Sequence, residues 1–288
     1  MTGKIDRLVD FVAAHPKLFV LTGAGVSTAS GIPCYRDTNG DWKRDRPVLH
    51  GDFVRDERAR RRYWARSFVG WPRMSSARPG RAHHALADLE QRGRLRQLVT
   101  QNVDGLHQSA GSRDVIDLHG RLDAVECLGC RTRHPRSLLQ QQLQQANPEF
   151  VPGRATAAPD GDADLHGVDS DAFTVPDCDR CGGTLKPAVV FFGDSVPRPT
   201  VARAFDTLAD SDAVLVVGSS LMLWSGYRFC RAAREQGKPI AAVNLGRTRA
   251  DAEIDLKVEQ DCGTVLENVA ARLEPASTAR TAERSTRD

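Results

Sequence analysis

Apolar and polar positions along this chain recur in two rhythms, one near 3.6 and one of short continuous apolar runs, and they divide it into helices and buried strands. Ile5, Leu8, Val9, Val12 and Ala13 keep helical spacing, and Pro16 stops that pattern before the apolar run Phe19, Val20, Leu21. After Pro79 and Gly80, the positions Ala82, Leu86 and Leu89 mark one helix face, and residues 95–100 read as the next strand. Residues 115–118 read as a short strand and 138–150 as a helix, while KPAVVFF at 186–192 supplies another apolar strand. The remaining pattern alternates regularly: helix at 199–209, strand at 213–217, helix at 226–235, strand at 239–244, a last short strand at 258–261 and a helix at 264–273. Strands alternating with helices predict an α/β fold around a parallel sheet. Residues 37–74 break the rhythm, being rich in Arg and Trp with little strand pattern, and read as a helical insertion. Its aromatic residues Trp42, Phe53, Tyr63, Trp64, Phe68 and Trp71 fit a packed core better than a base-stacking platform.

The ends of four predicted strands share a character. The first runs into Gly23, Ala24 and Gly25, the second into Gln101 and Asn102, the third into Gly218 and Ser219, and the fourth into Asn244 and Gly246. Open α/β sheets place ligands in a crevice at their strand C-termini, so these small and polar residues predict one shared site. Each signal has a plain alternative. The glycine turn lacks the third glycine of a dinucleotide fingerprint, Thr28 standing in its place, and could be only a turn. Asn102 and Asp104 could be turn formers around Gly105. His119, delivered at the end of the 115–118 strand, is either a structural histidine or a group able to take a proton from a hydroxyl near neutral pH.

Composition narrows the class. The 288 residues are 40% hydrophobic and 27% charged, enough for a large core. A formal net charge of +3 gives no reason to expect a nucleic-acid partner, and the arginines of residues 44–81 fit a solvated helical face better than an electropositive docking face. No apolar run approaches the roughly 20 residues needed to span a bilayer, and the first 16 residues resemble no targeting segment, so a cytoplasmic location and no membrane partner are expected. Four of the seven cysteines form two C-x-x-C pairs, Cys127/Cys130 and Cys178/Cys181. Two such pairs complete a closed tetrahedral site for one structural zinc, redox-active or unrelated thiols being the alternative. Between the pairs, residues 151–175 are poor in apolar positions and expected to be flexible, and 274–288 are expected to form a disordered tail.

Taken together, GAGVSTASGIPCYR (23–36), TQNVDGLH (100–107), LHG (118–120), the two C-x-x-C pairs, KPAVVFFGD (186–194), VGSSL (217–221) and VNLG (243–246) resemble the sirtuins, Sir2-type NAD-dependent protein deacylases, and most of all their bacterial and mitochondrial class II members. The matches follow the family's order and span nearly the whole chain from Lys17 onward. The resemblance implies a Rossmann-like large domain (1–36, 75–120 and 187–273) with a small domain made of the helical insertion (37–74) and a four-cysteine zinc module (121–186), and NAD in the cleft between them.

By the same resemblance, Gly23, Ala24, Gly25, Ser27 and Thr28 would surround the diphosphate, Tyr35 would cover the nicotinamide pocket, and Arg36 would order that loop. Gln101 and Asn102 would hold the nicotinamide ribose, Asn102 also taking part in catalysis, while Val103 and Asp104 would accept the carboxamide. Gly218, Ser219, Ser220, Asn244, Leu245, Gly246 and Cys262 would line the adenosine half, and His119 would be the general base. The implied activity is deacylation of acylated-lysine proteins or peptides, most simply deacetylation, with the acyl group passed to ADP-ribose and nicotinamide released. The peptide would pair as a strand between 188–192 and 221–223. Protein ADP-ribosylation, or NAD binding with little turnover, are the alternatives. Three residues depart from the family pattern: Cys34 stands for the usual aspartate, Asp194 for glutamate and Ser219 for threonine. Cys34 is either a tolerated change or a thiol open to oxidation.

Overall fold

The computed structural model describes residues 2–43, 47–151, 155–157, 161, 163–165 and 170–273. The expected tail at 274–288 and much of the expected flexible insert at 151–175 lie outside the described residues. In chain order the elements are α1 (Thr2–Ala14), β1 (Leu18–Thr22), a 3-10 helix (Ala24–Ser30), α2 (His50–Arg55), α3 (Glu57–Ser76), α4 (Arg81–Gln91), β2 (Leu95–Thr100), α5 (Leu106–Ser109), β3 (Val115–Asp117), β4 (Gly120–Cys127) and β5 (Arg133–Pro135). There follow α6 (Arg136–Ala146), β6 (Ala155–Ala157), β7 (Ala163–Leu165), β8 (Leu185–Val189), α7 (Arg198–Ala209), β9 (Ala213–Val217), α8 (Trp224–Glu235), β10 (Ile240–Val243), β11 (Leu256–Val258) and α9 (Cys262–Arg272).

Six strands form a parallel sheet in the order β11-β10-β9-β1-β2-β3. Every residue of β1, β9 and β10 is buried, because helices cover both faces and a continuous apolar run satisfies both. Leu18 and Val20 face α1, α4 and α9 through Leu8, Val12, Leu86 and Val265. Phe19 and Leu21 face the opposite way, against Leu208 of α7 and Phe229 of α8. Side chains alternate across a strand, so five residues of β1 serve two cores. From β1 the chain builds outward to β2 and β3, and later, from β9, to β10 and β11 on the other side. The point between β1 and β9 is therefore where the strand order reverses, and there a crevice opens at the carboxyl ends.

A second layer stands beyond those carboxyl ends. The antiparallel sheet β5-β4-β8 packs with α2, α3 and α6 around Phe53, Tyr63, Trp64 and Phe191. The rings of Phe53, Tyr63 and Phe191 lie 5.1–5.4 Å apart in edge and tilted contacts. Phe53, Tyr63, Trp64 and Phe68 of the insertion are thus its core, whereas Trp71 packs on a smaller neighbouring cluster and Trp42 faces the cleft. Asp56 starts α3 by accepting the amide of Arg58 at 2.9 Å, satisfying one of the unpaired N–H groups of the first turn. In the insert, β6 and β7 pair as a hairpin, and Ala163 offers its carbonyl to Arg66 Nε at 3.1 Å.

Three local outcomes differ from the sequence pattern. The turn after β1 becomes a seven-residue 3-10 helix instead of a regular α-helix, stopped by Gly31 in the left-handed region, whose amide caps Ser27 and Thr28. The last strand spans Leu256–Val258, because only those residues reach the register of β10. β4 was not expected at all; its polar positions Arg121, Asp123 and Glu126 hide a strand that pairs on both edges. No described helix is long and apolar enough to cross a membrane.

Candidate active site

The crevice is a cleft of about 700 Å³ between the parallel sheet and the second layer. Gly23, Ala24, Gly25, Ser27, Thr28, Tyr35, Arg36, Gln101, Asn102, Val103, Asp104, His119, Gly218, Ser219, Ser220, Asn244, Leu245 and Cys262 all line it. Gly246 does not; its backbone packs under Thr38, whose carbonyl accepts the amide of Arg247 at 2.8 Å. The cleft floor requires close backbone approach. Gly25 N donates to Gly218 O at 2.8 Å, and a Cβ on Gly25 would fall 2.8 Å from the Gly218 Cα. A side chain on Gly25 would collide with the Gly218 backbone, so this close approach requires glycine.

The polar residues at the strand ends hold one another. Ser27 Oγ donates to Asp104 Oδ2 at 2.7 Å and accepts from Asn102 Nδ2 at 3.0 Å, and His83 Nε2 lies 3.4 Å away. Because His83 Nδ1 accepts the Gly80 amide at 3.1 Å, its proton sits on Nε2 and points at Ser27. Asn102 Nδ2 also donates to Gly23 O at 3.1 Å, and Gln101 Nε2 donates to Ser219 Oγ at 2.8 Å. Asp104 Oδ1 accepts the Leu106 amide at 2.9 Å, which starts α5. These bonds join β1, β2, β9 and α4 into one network. Behind it His107, fully buried, meets Thr22 Oγ1 through Nε2 at 3.0 Å.

His119 is set between the two layers by the turn from β3 to β4. Gly120 (φ 76°) reverses the chain so closely that a Cβ there would sit 2.1 Å from the Ala188 carbonyl. The His119 carbonyl accepts the Val190 amide at 2.8 Å, tying the histidine to the segment after β8. Its Nδ1 lies 2.8 Å from the Gln101 carbonyl and its Nε2 2.9 Å from Ser225 Oγ. Burial pushes its pKa down to about 4, opposed by the Gln101 carbonyl and assisted by the Arg228 charge. The ring is therefore neutral near pH 7, with Nε2 able to accept a proton.

The loop after Gly31 roofs the cleft. Tyr35, Trp42 and Phe192 make edge contacts with centroids 5.5–6.2 Å apart. Arg36 donates to the Gly40 carbonyl at 2.7 Å and lies 4.1 Å from the centroid of Trp42, so it orders this loop from within. Cys34 sits in the same roof, and burial raises its thiol pKa, with Lys43 pulling the other way. Raised in this way, the thiol is a poor nucleophile, in keeping with a tolerated change. Val189, Phe192, Leu221, Met222 and Leu223 also line the cleft. The Phe192 carbonyl is already taken by the His50 amide at 2.9 Å, and His50 Nδ1 stands 3.4 Å from Asp194.

Cys127, Cys130, Cys178 and Cys181 bring their Sγ atoms within 4.8 Å of one another. The Cys127–Cys181 and Cys130–Cys178 separations are 3.5 and 3.7 Å. A tetrahedron with metal–sulfur bonds of about 2.3 Å has edges of about 3.8 Å, so the four thiols fit one zinc ion.

Sequence reasoning did not single out His83, Ser225 or Arg228 as parts of this site. His83 was visible only as one of two adjacent histidines at a helix start, and Ser225 lies 106 residues from its partner, with no local signature.

Comparison with known proteins places the chain in a family. The model of the Sir2 family matches residues 23–225. The NAD-dependent protein deacetylase 2 of Bradyrhizobium diazoefficiens is 60% identical over 91% of this chain and 96% of its own length. An NAD-dependent protein deacetylase of Xanthomonas axonopodis pv. citri is also 60% identical, over 90% and 88%. A solved complex of Sir2 with a p53 peptide and NAD+ superposes with a TM-score of 0.75 at 28% identity, covering 93% of this chain and 97% of that one.

Proposed function

The chain belongs to the Sir2 family, and from that premise we infer how its cleft works as an NAD-dependent protein deacetylase. It uses NAD as co-substrate, acts on acetylated peptides, and its four cysteines suit one structural zinc. NAD, when bound, supplies the ADP-ribosyl unit that receives the acyl group as nicotinamide leaves. The observation that carries the residue roles is the neutral His119, its Nε2 turned into a cleft built from four strand ends.

In this reading Gly23, Ala24, Gly25, Ser27 and Thr28 cradle the diphosphate, where glycine lets the backbone approach and the turn presents its amides. Gln101 and Asn102 hold the nicotinamide ribose, their side chains already oriented by Ser219, Gly23 and Ser27. Such preorganisation removes the cost of arranging the groups during reaction. Val103 and Asp104 receive the carboxamide, Tyr35 roofs the pocket, and Ser220, Asn244, Leu245 and Cys262 line the adenosine end. His119 receives a hydroxyl proton at Nε2, and the acyl-lysine peptide pairs as a strand between 188–192 and 221–223. Acylated-lysine proteins are the partners, and no nucleic acid is required. The four thiolates need a reducing compartment, which favours the cytoplasm.

Incubating the protein with an acetyl-lysine peptide and NAD tests this reading. O-acetyl-ADP-ribose and deacetylated peptide are the expected products. ADP-ribose on protein without peptide turnover would indicate ADP-ribosyl transfer instead, and absence of both products would leave an NAD-binding interaction protein.

A further inference from the structure

His119 is held at both ring nitrogens, and one of its two holders belongs to none of the motifs above. The Gln101 carbonyl can only accept, so the proton of the neutral ring is on Nδ1 and the single remaining lone pair is on Nε2. The hydroxyl of Ser225 then donates to that lone pair at 2.9 Å. Ser225 lies in the first turn of α8 and is itself fixed. The amides of Gly226 and Tyr227 bond the Leu223 carbonyl at 3.2 and 3.1 Å, and Arg228 Nε donates to the Ser225 carbonyl at 3.1 Å. Gly226 lets this turn close on β2, since a Cβ there would fall 2.6 Å from Gln101 Oε1. One helix end thus touches both Gln101 and the base that Gln101 orients.

We propose that Ser225 is the positioning residue of His119: the Gln101 carbonyl fixes the Nδ1–H tautomer, and the Ser225 hydroxyl sets the plane of the imidazole from the other nitrogen and keeps Nε2 facing the cleft. The proposal rests on the reading of His119 as the base. Nε2 has one lone pair, so the serine and a substrate hydroxyl occupy it in turn and never together. A hydroxyl suits this exchange because it rotates without moving the backbone. Among the described residues no carboxylate pairs with the ring, and Arg228, also on α8, is the charged group that bears on it. The Gln101 carbonyl therefore stands where an acidic partner stands in other histidine bases, and Ser225 steadies the ring from its other nitrogen.

Histidine-labelled protein without ligand provides the direct test. NMR is expected to place the His119 proton on Nδ1. In Ser225→Ala the loss of a donor to the neutral ring should raise the His119 pKa by about one unit, while the Gln101 carbonyl keeps the proton on Nδ1. With NAD and peptide, Ser225→Ala should lower kcat about tenfold while KM for NAD stays within about twofold. Ser225→Thr, which keeps the hydroxyl, should restore pKa and rate together. A proton on Nε2 in the parent protein would overturn the proposal, and so would a Ser225→Ala variant with unchanged pKa and kcat. A Ser225-dependent His119 pKa together with a fully active His119→Ala variant would overturn the base reading and, with it, the positioning role. An inactive His119→Ala variant with a ring indifferent to Ser225 would overturn the positioning role alone.

Discussion

The two layers that enclose the cleft are held together by different physics. On the side of the parallel sheet, buried polar groups satisfy one another: Ser27 gives one hydrogen bond to Asp104 and receives another from Asn102, and His83 stands at its back. On the opposite side a small antiparallel sheet has little room for such a network and is stapled by four thiols around an aromatic cluster. There even a buried arginine, Arg136, has no carboxylate partner among the described residues; it bonds Ser67 and stacks over Trp64 and Trp71, and its pKa falls to about 10 through desolvation. A small layer cannot bury enough apolar surface alone and leans on metal, whereas a sheet covered on both faces can afford an open, polar end. The first layer supplies a preformed site, and the second supplies a wall whose integrity depends on its staple.

The largest effect should come from breaking that staple. Metal binding contributes about 10–16 kcal/mol to small zinc modules, so Cys127→Ser is expected to abolish stoichiometric zinc and unfold the small layer. The parallel sheet should persist, giving hydrogen exchange that becomes fast in β4, β5 and β8 and stays slow in β1 and β9. Uniform exchange throughout the variant would show that the layers do not differ in this way.

A smaller effect separates the layers by pH. Burial pushes His107 down to about 3, and His83 down to about 4, so both are neutral in the folded protein. Unfolded histidines titrate near 6.5, so below that value the unfolded chain takes up protons that the folded chain refuses. Stability is therefore complete above about pH 6.5 and falls as the pH drops toward 4, by on the order of 2 kcal/mol for each histidine at pH 5. Thermal unfolding at pH 7 and 5 measures the drop; His119, also held neutral by burial, adds a third equal share, so His107→Gln should reduce the drop by about a third. An undiminished drop in that variant would place the pH sensitivity outside the β1–β2 network, for instance on the thiolates.

The same contrast explains what could be read from the chain. The sheet was legible because each central strand is a continuous apolar run that stops at glycine or a polar residue, as at Leu21 before Gly23 and Val217 before Gly218. Strand ends of this kind carry both fold and site. β4 was hidden because its polar and apolar alternation, begun at Arg121, Leu122 and Asp123, breaks at Ala124 and Val125, on a sheet only three strands wide. The 3-10 geometry after Gly23 depends on contact with Gly218, far along the chain, and no local propensity reports it. Ser225 was missed for a related reason: a serine at a helix start looks like a cap, and only the closure of α8 onto β2 turns it toward His119.

In this account the polar end of the parallel sheet binds the co-substrate while His119 does the proton work. His119→Ala, compared with the parent protein for NAD affinity by calorimetry and for deacetylation of one acetyl-lysine peptide, separates the two roles. Loss of a general base should lower kcat by about 10²–10⁴-fold with NAD affinity held within about threefold, since the strand-end network is untouched. A variant that deacetylates at the parent rate would contradict the assignment.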